Sequence, residues 1–166
     1  FQPGTQFDAG TQTFRNGAML IGNGRASVLG AGTGISGTST GLTVGSGMTL
    51  DLTGQTLSGP GVLNNQGSLI LDETTLQADL VNTGSITVAG NSTHSGQTVQ
   101  MTSGIITVGD GVTVTKQGGA FNWSGGTLAA TGTGAYDLTD GAVLNFTGTG
   151  QRIIDGPAIR LPNVAM

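Results

Sequence analysis

The feature that most constrains the fold of this chain is a short strand-like motif, led by a glycine, that recurs about every 20 residues. The leading residues are Gly47, Gly67, Gly84, Gly104 and Gly126. A repeat of this length is typical of stacked coils, because one coil cannot bury its inward side chains unless neighbouring coils cover them. The sequence therefore predicts an all-β protein, a right-handed parallel β-helix (β-solenoid) of roughly eight coils of about 20 residues.

The residues before the leading glycines predict where the coils turn. Asn65 and Asn82 each lie two residues before a leading glycine, and asparagine and glycine both tolerate the backbone conformations of tight corners. We expect the side-chain amides of Asn65, Asn82 and Asn122 to stack from coil to coil in a hydrogen-bonded ladder. No window of 11 residues has the apolar spacing of a helix. The alternative all-β fold, an antiparallel sandwich, is disfavoured by the repeat.

The regularity of the repeat divides the single domain, residues 1–166, into three parts. We expect N-terminal coils or a cap over 1–40 and regular coils over 41–156. Residues 157–166 are expected to form a C-terminal edge segment, because its two prolines would block further strand pairing.

The N-terminal 40 residues allow two interpretations. The stretches 17–21 and 26–29 have the composition of two more solenoid strands, and we favour this interpretation. The alternative is a β-hairpin with its turn at Asn16-Gly17, a dipeptide that is typical of two-residue hairpin turns. Because the first residue is Phe1, we also expect a processed, mature form of the protein.

The low charge of the chain excludes several classes of function. Only 8% of the residues are charged and the net charge is −4, whereas nucleic-acid binding needs clustered lysine and arginine. The chain has no run of about 18 apolar residues that would span a membrane. It has no cysteine, which excludes disulfides and thiolate metal sites. We therefore expect no nucleic-acid partner and no membrane insertion.

The few residues with catalytic or metal-binding chemistry are better explained by turns. His94 lies in the polar stretch 91–95, which we interpret as an exposed loop. The carboxylate pairs, which could in principle cleave a glycosidic bond, are Asp72 with Glu73 and Asp137 with Asp140. Asp110 and Asp140 are isolated matches to calcium loops, and the irregular spacing of the Thr-x-Thr pairs predicts no regular threonine array. We expect no catalytic residue, no cofactor and no metal.

The best-defined repeats resemble those of large secreted bacterial β-solenoids. The residues that carry this resemblance are Val81-Asn-Thr-Gly-Ser-Ile-Thr-Val-Ala-Gly90 and the segments 125–134 and 146–156. They are similar to the repeats of autotransporter passenger domains and of filamentous-haemagglutinin-like adhesins. The resemblance implies a secreted protein of the cell surface with a structural or adhesive role, and it implies no catalytic residues.

A structural function follows as the main expectation. A solenoid without polar caps exposes its apolar core and unpaired backbone groups at both ends, so we expect copies to associate head-to-tail, or flanking segments of a longer surface protein to cover the ends. The residues expected in such contacts are Phe1, Phe7, Ile159, Leu161 and Val164.

Two alternatives remain open. An adhesin module would bind glycans or surfaces through the exposed aromatic rings of Trp123 and Tyr136. A polysaccharide-degrading β-helix enzyme would need converging carboxylates, and the few aromatic residues of this chain disfavour it.

Overall fold

A computed structural model describes residues 10–13, 19–22, 25–28, 42–57, 62–95, 98–156 and 159–160. These residues form β-strands joined by tight corners and contain no helix. In chain order the strands are β1 (Gly10–Thr13), β2 (Met19–Gly22), β3 (Arg25–Val28), β4 (Leu42–Val44), β5 (Met48–Asp51), β6 (Thr56–Leu57), β7 (Val62–Asn65), β8 (Ser68–Leu71), β9 (Thr75–Leu76), β10 (Asp79–Asn82), β11 (Ser85–Val88), β12 (Ser92–Ser95), β13 (Val99–Met101), β14 (Ile105–Val108), β15 (Thr113–Gln117), β16 (Ala120–Trp123), β17 (Gly126–Ala130), β18 (Ala135–Thr139), β19 (Val143–Phe146), β20 (Arg152–Asp155) and β21 (Ile159–Arg160).

Three parallel sheets form the walls of a solenoid. The first sheet has the order β1-β5-β8-β11-β14-β17-β20, the second β4-β7-β10-β13-β16-β19, and the third β6-β9-β12-β15-β18-β21. Each coil contributes one strand to each sheet, and each strand pairs with its equivalent in the next coil. The predicted parallel β-solenoid is therefore confirmed. The described strands complete about five turns, fewer than the eight coils expected for the whole chain.

The core is a set of side-chain columns that run along the axis. Strand alternation directs every second residue inward, and strict register places like residues above one another. In the first sheet one inward column contains Leu50, Leu69, Ile86, Ile106 and Leu128. All five side chains are buried, so each coil covers the apolar side chains of the next.

The leading glycines stack at the corner between the second and first sheets. The amide of Ser85 donates to the carbonyl oxygen of Gly67, that of Ile105 to Gly84 and that of Thr127 to Gly104. A Cβ added at Gly84, Gly104 or Gly126 would lie closer than 3.0 Å to the carbonyl oxygen one coil below. The corner therefore requires glycine because the backbones of successive coils touch there.

The N-terminal region departs from the favoured prediction. β1 pairs in parallel with β5 and extends the first sheet by one strand. β2 and β3 instead pair antiparallel with each other, with Met19 opposite Val28 and Gly22 opposite Arg25. The interpretation of 17–21 and 26–29 as solenoid strands is therefore wrong. A hairpin forms, but its strands flank Asn23-Gly24 rather than Asn16-Gly17.

Candidate functional site

The C-terminal end of the solenoid exposes its core. Among the described residues, the most exposed large apolar side chains are Phe146 at 61%, Ile154 at 58%, Val143 at 49% and Ile153 at 41%. All four belong to β19 and β20, the last strands of the second and first sheets. We call these four residues the open end.

Two residues of the open end occupy inward positions that are buried in every earlier complete coil. Phe146 pairs with the buried Trp123, and Ile154 pairs with the buried Leu128. The ring of Phe146 lies 6.0 Å from that of Trp123. Phe146 and Ile154 have the apolar side chains of core residues. They are exposed because they are the last members of their columns, and no described strand follows to cover them.

The backbone of the same end also lacks partners within the described chain. β19, β20 and β21 are each the last strand of their sheet. The outer edge of such a strand presents unpaired N–H and C=O groups, which can pair with another extended segment. Apolar side chains and free strand edges therefore coincide at the open end.

Charges of both signs surround the open end. The guanidinium of Arg152 lies 5.6 Å from the centre of the Phe146 ring and donates to the carbonyl oxygen of Thr147 at 2.9 Å. Arg160 lies 3.8 Å from the carboxylate of Asp137. Asp155 is exposed on β20. This mixed rim favours a partner that also carries both signs of charge.

The residues expected in subunit contacts and glycan binding are placed differently by the structure. Ile159 lies in β21 and is partly buried against the core; Phe1, Phe7, Leu161 and Val164 lie outside the described residues. The prediction that Trp123 and Tyr136 are surface aromatics is wrong, because they are only 1% and 4% exposed. Both occupy inward positions.

The two aromatic residues pack against a third inside the solenoid. The Phe121 ring is stacked 6.1 Å from that of Trp123 and 5.2 Å from that of Tyr136. Trp123 donates its Nε1–H to the carbonyl oxygen of Gly125, which satisfies its polar atom without solvent. The rings therefore stabilise the core and offer no platform for a sugar.

The predicted amide ladder is confirmed for two of its three members. Asn65 donates from Nδ2 to Oδ1 of Asn82 at 2.8 Å and to the carbonyl oxygen of Ser85, and both amides are buried. Asn122 is not part of it, because Asn122 points outward. It accepts instead from Nδ2 of Asn145 in a second, exposed ladder.

The interpretation of His94 as an exposed loop residue is wrong. It lies on β12 and is buried, and its Nε2 lies 2.9 Å from the carbonyl oxygen of Ala78. Its neighbour in the next coil is Lys116, whose side chain is also buried. The ammonium of Lys116 donates to the carbonyl oxygen of Gly118. No sequence signal indicated this pair, because the surrounding residues 91–95 are polar.

Burial controls the protonation of both groups. Desolvation, helped by the charge of Lys116, lowers the pKa of His94 from 6.5 to about 4, although the hydrogen bond to Ala78 and the charge of Asp79 oppose this shift. Desolvation lowers the pKa of Lys116 from 10.5 to about 8, and the nearby Asp79 opposes this shift. At neutral pH the structure therefore holds a neutral imidazole beside a buried ammonium.

Replacing Lys116 with Met should stabilise the protein at pH 7 by about 1 to 3 kcal/mol, because an apolar side chain of similar length removes a buried charge. Since the pKa of Lys116 is lower in the folded state, its cost is greatest below about pH 8 and disappears as the pH rises to 10.5. The stability of K116M should therefore lack the increase that wild type shows between these pH values. Urea unfolding at pH 7 and 9.5 measures both effects, and a variant less stable than wild type at pH 7 would contradict the prediction.

Of the four candidate carboxylates, three lie in turns and one lies on a strand. Asp72 and Glu73 follow β8 in a turn where Glu73 has a positive φ of 50°, and Asp140 has a φ of 52° in another turn. Asp137, which we expected in a turn, lies within β18 and points outward. Within the described ranges no group of three or more His, Asp or Glu side chains could hold a metal ion.

Asp110, the other calcium candidate, braces two coils. Its carboxylate accepts from the backbone amide and the hydroxyl of Thr133, 2.8 and 3.2 Å away, and these bonds lower its pKa. Asn91 makes the same bond to the backbone amide of Thr113 at 2.8 Å. These side chains therefore tie one coil to the next, as expected for residues at turns.

The outer face of the third sheet carries one column of threonines in register. Its members are Thr56, Thr75, Thr93 and Thr115. The adjacent positions do not repeat, because Thr113 pairs with Ala135 and Ser95 pairs with Gln117. A two-column array of Thr-x-Thr pairs is therefore absent from the described part of this sheet, as the spacing predicted.

No family model, no curated protein and no solved structure matches this chain. The resemblance to secreted bacterial adhesins therefore stays a prediction from the repeats. Among the described residues there is also no helix that could cross a membrane.

Proposed function

We propose that this chain is a structural, non-catalytic component of an extracellular assembly. It is a rigid β-solenoid rod that associates head-to-tail into a filament, or that forms part of a larger surface fibre. The observation that carries this proposal is the open end, where the inward side chains of Phe146 and Ile154 are exposed and where, among the described residues, three strands have no partner on their outer edges. An additional coil is the structure that satisfies both features at once, because it pairs with the edges and covers the side chains.

The geometry of the opposite end is consistent with a head-to-tail contact. β1, β4 and β6 are the first strands of the three sheets. A second copy placed along the same axis would bring β1 and β6 towards β20 and β21, whereas β4 already lies beside β2 of the hairpin. Such a contact is heterologous, so it leaves a free end on every added copy and builds an open filament.

The rest of the described surface supports a scaffold better than a catalyst. Its carboxylates lie at turns or on an outward strand face. Apart from Phe146, the described aromatic side chains are buried. The resemblance of the repeats to secreted solenoids supports the extracellular location.

Electron microscopy and light scattering at increasing protein concentration test the proposal. We expect filaments of constant width for the wild type and isolated rods for Ile154→Glu, because a carboxylate at an inward position of the open end cannot be buried without a partner. The substitution should leave the monomer folded, since Ile154 is already 58% exposed.

The matched control is Ile105→Glu. Ile105 is the remaining exposed large apolar residue of the described chain, but it lies on β14 in the middle of the first sheet. This variant should form filaments like the wild type. Loss of filaments in both variants would indicate that the copies associate through a lateral contact. If wild-type rods never join, head-to-tail association is wrong, and only the proposal that the chain forms part of a larger surface fibre remains.

A further inference from the structure

The inward column of the third sheet contains two ionisable side chains between apolar ones. In register it reads Leu76, His94, Lys116 and Leu138. The equivalent columns of the first sheet contain only apolar residues over the same coils. Apolar residues complete the equivalent columns, so the solenoid does not need an ionisable pair at this position. What the pair adds to the core is a charge that changes with pH.

The hydrogen bonds of His94 define which nitrogen can take up a proton. The partner of Nε2 is the carbonyl oxygen of Ala78, which can only accept, so Nε2 carries the hydrogen of the neutral ring. Nδ1 is buried and has no hydrogen-bond partner. A proton added at Nδ1 would therefore create a buried cationic N–H without an acceptor.

The surroundings of His94 offer little compensation for a positive charge. Lys116 on β15 repels it, whereas the carbonyl oxygen of Ala78 and the carboxylate of Asp79, at the start of β10, favour it, and desolvation outweighs both. A cavity of about 20 Å³ adjoins the ring, which is room for about one water molecule. Apart from His94, its only lining residue with a polar side chain is Tyr136 on β18; the others are aliphatic. Leu76 faces the ring from β9 and is apolar.

We propose that His94 and Lys116 form a proton-sensitive pair that makes the solenoid acid-labile. Protonation of Nδ1 places a second cation next to the buried ammonium. The adjoining cavity is lined almost entirely by aliphatic side chains, so one water there would find few polar partners. Fuller hydration of the two charges therefore favours a state in which β12 and β15 have moved apart. The third sheet therefore opens first at these two strands when the solution is acidified.

The direction of the effect follows from the lowered pKa of His94. The folded state binds the proton less tightly than the unfolded state, whose histidine has a pKa of 6.5. The contribution of neutral His94 to the free energy of unfolding is therefore fully present above pH 6.5, and it decreases as the pH falls towards about 4. From these two pKa values, the equilibrium constant for unfolding should rise about 20-fold between pH 7 and pH 5.

Urea unfolding at pH 7 and pH 5 tests this inference, with the fluorescence of Trp123, the single tryptophan, as the signal. The variant His94→Gln cannot take up the proton and retains an N–H for the carbonyl of Ala78. We expect the 20-fold change in wild type and less than about a 3-fold change in H94Q. Equal pH dependence in both proteins would overturn the inference and assign acid sensitivity to the carboxylates.

The wild-type protein allows a second test that does not depend on the folding of a variant. His94 is the only histidine, so its ring signals in an NMR titration report one pKa. We expect a midpoint well below 6.5 in wild type and a higher midpoint in Lys116→Met, which removes the neighbouring charge. A midpoint near 6.5, or one that K116M does not change, would overturn the inference. Amide hydrogen exchange at pH 5 should be fastest, among the buried strands, in β12 and β15.

Discussion

Gly104→Ala is expected to abolish stable folding, with a loss of more than about 4 kcal/mol in the free energy of unfolding. Gly104 has a φ of +75°, and a Cβ there would overlap the carbonyl oxygen of Gly84. That oxygen accepts the hydrogen bond from the amide of Ile105 at 2.9 Å, so it cannot move aside without breaking the pairing of β11 with β14. Urea unfolding followed by the fluorescence of Trp123, together with the soluble yield, measures the effect.

Gly111→Ala separates steric overlap from backbone strain. Gly111 has a similar φ of +70°, but no atom lies within 4 Å of the position of its Cβ. This substitution should cost only the strain of a left-handed alanine, about 1 to 2 kcal/mol. Similar losses in the two variants would show that contact between coils is not what restricts the glycine corner.

Asn82→Ala is expected to destabilise the protein by about 2 to 4 kcal/mol, because it removes the middle of a buried polar network and leaves a cavity. Asn82 accepts from Nδ2 of Asn65 and donates to the carbonyl oxygen of Gly84 at 3.2 Å. Both bonds are lost in the variant, and the partner groups are too deeply buried to be hydrated. Thermal and urea unfolding measure the change.

The exposed amide ladder provides the matched control. Asn145 donates to Asn122 over 2.8 Å, the same distance as in the buried pair, but Asn145 is solvent-exposed. Asn145→Ala should therefore change the free energy of unfolding by less than about 0.5 kcal/mol. An unchanged melting temperature for Asn82→Ala would contradict a stabilising role for the buried ladder.

The sequence predicted the repeat and its corners because local chemistry determines both. Gly67, Gly84 and Gly104 stack where the spacing placed them, and apolar residues such as Leu69 and Ile86 form the core column. These features depend on strand alternation and on backbone contact, which leave a direct pattern in the residues.

The inward or outward direction of single side chains was harder to predict. The interval between paired residues of adjacent coils changes along the chain: it is 17 for Asn65 and Asn82, 23 for Asn122 and Asn145, and 26 for Leu128 and Ile154. Each change in corner length resets the alternation of the next strand, and a shift of one residue exchanges its two faces. The direction of Trp123 was therefore not predictable from the preceding coil.

His94 and the N-terminal hairpin show two other limits. His94 lies in a strand whose other residues, Ser92, Thr93 and Ser95, are polar, so no hydrophobic alternation marks its buried side. β2 and β3 flank Asn23-Gly24, a two-residue turn signal that was present in the sequence. The alternative prediction placed the turn at Asn16-Gly17, a dipeptide with the same signal.

The direction of the backbone hydrogen bonds has a mechanical consequence. Strand pairing joins each coil to the coils before and after it, so the bonds run along the rod rather than across it. A force applied at the C-terminal strand would load the bonds of one coil at a time, and the rod would peel open instead of shearing. Each step would release a length of chain set by that coil's corners, so unequal coils would give unequal extensions as the rod is pulled apart.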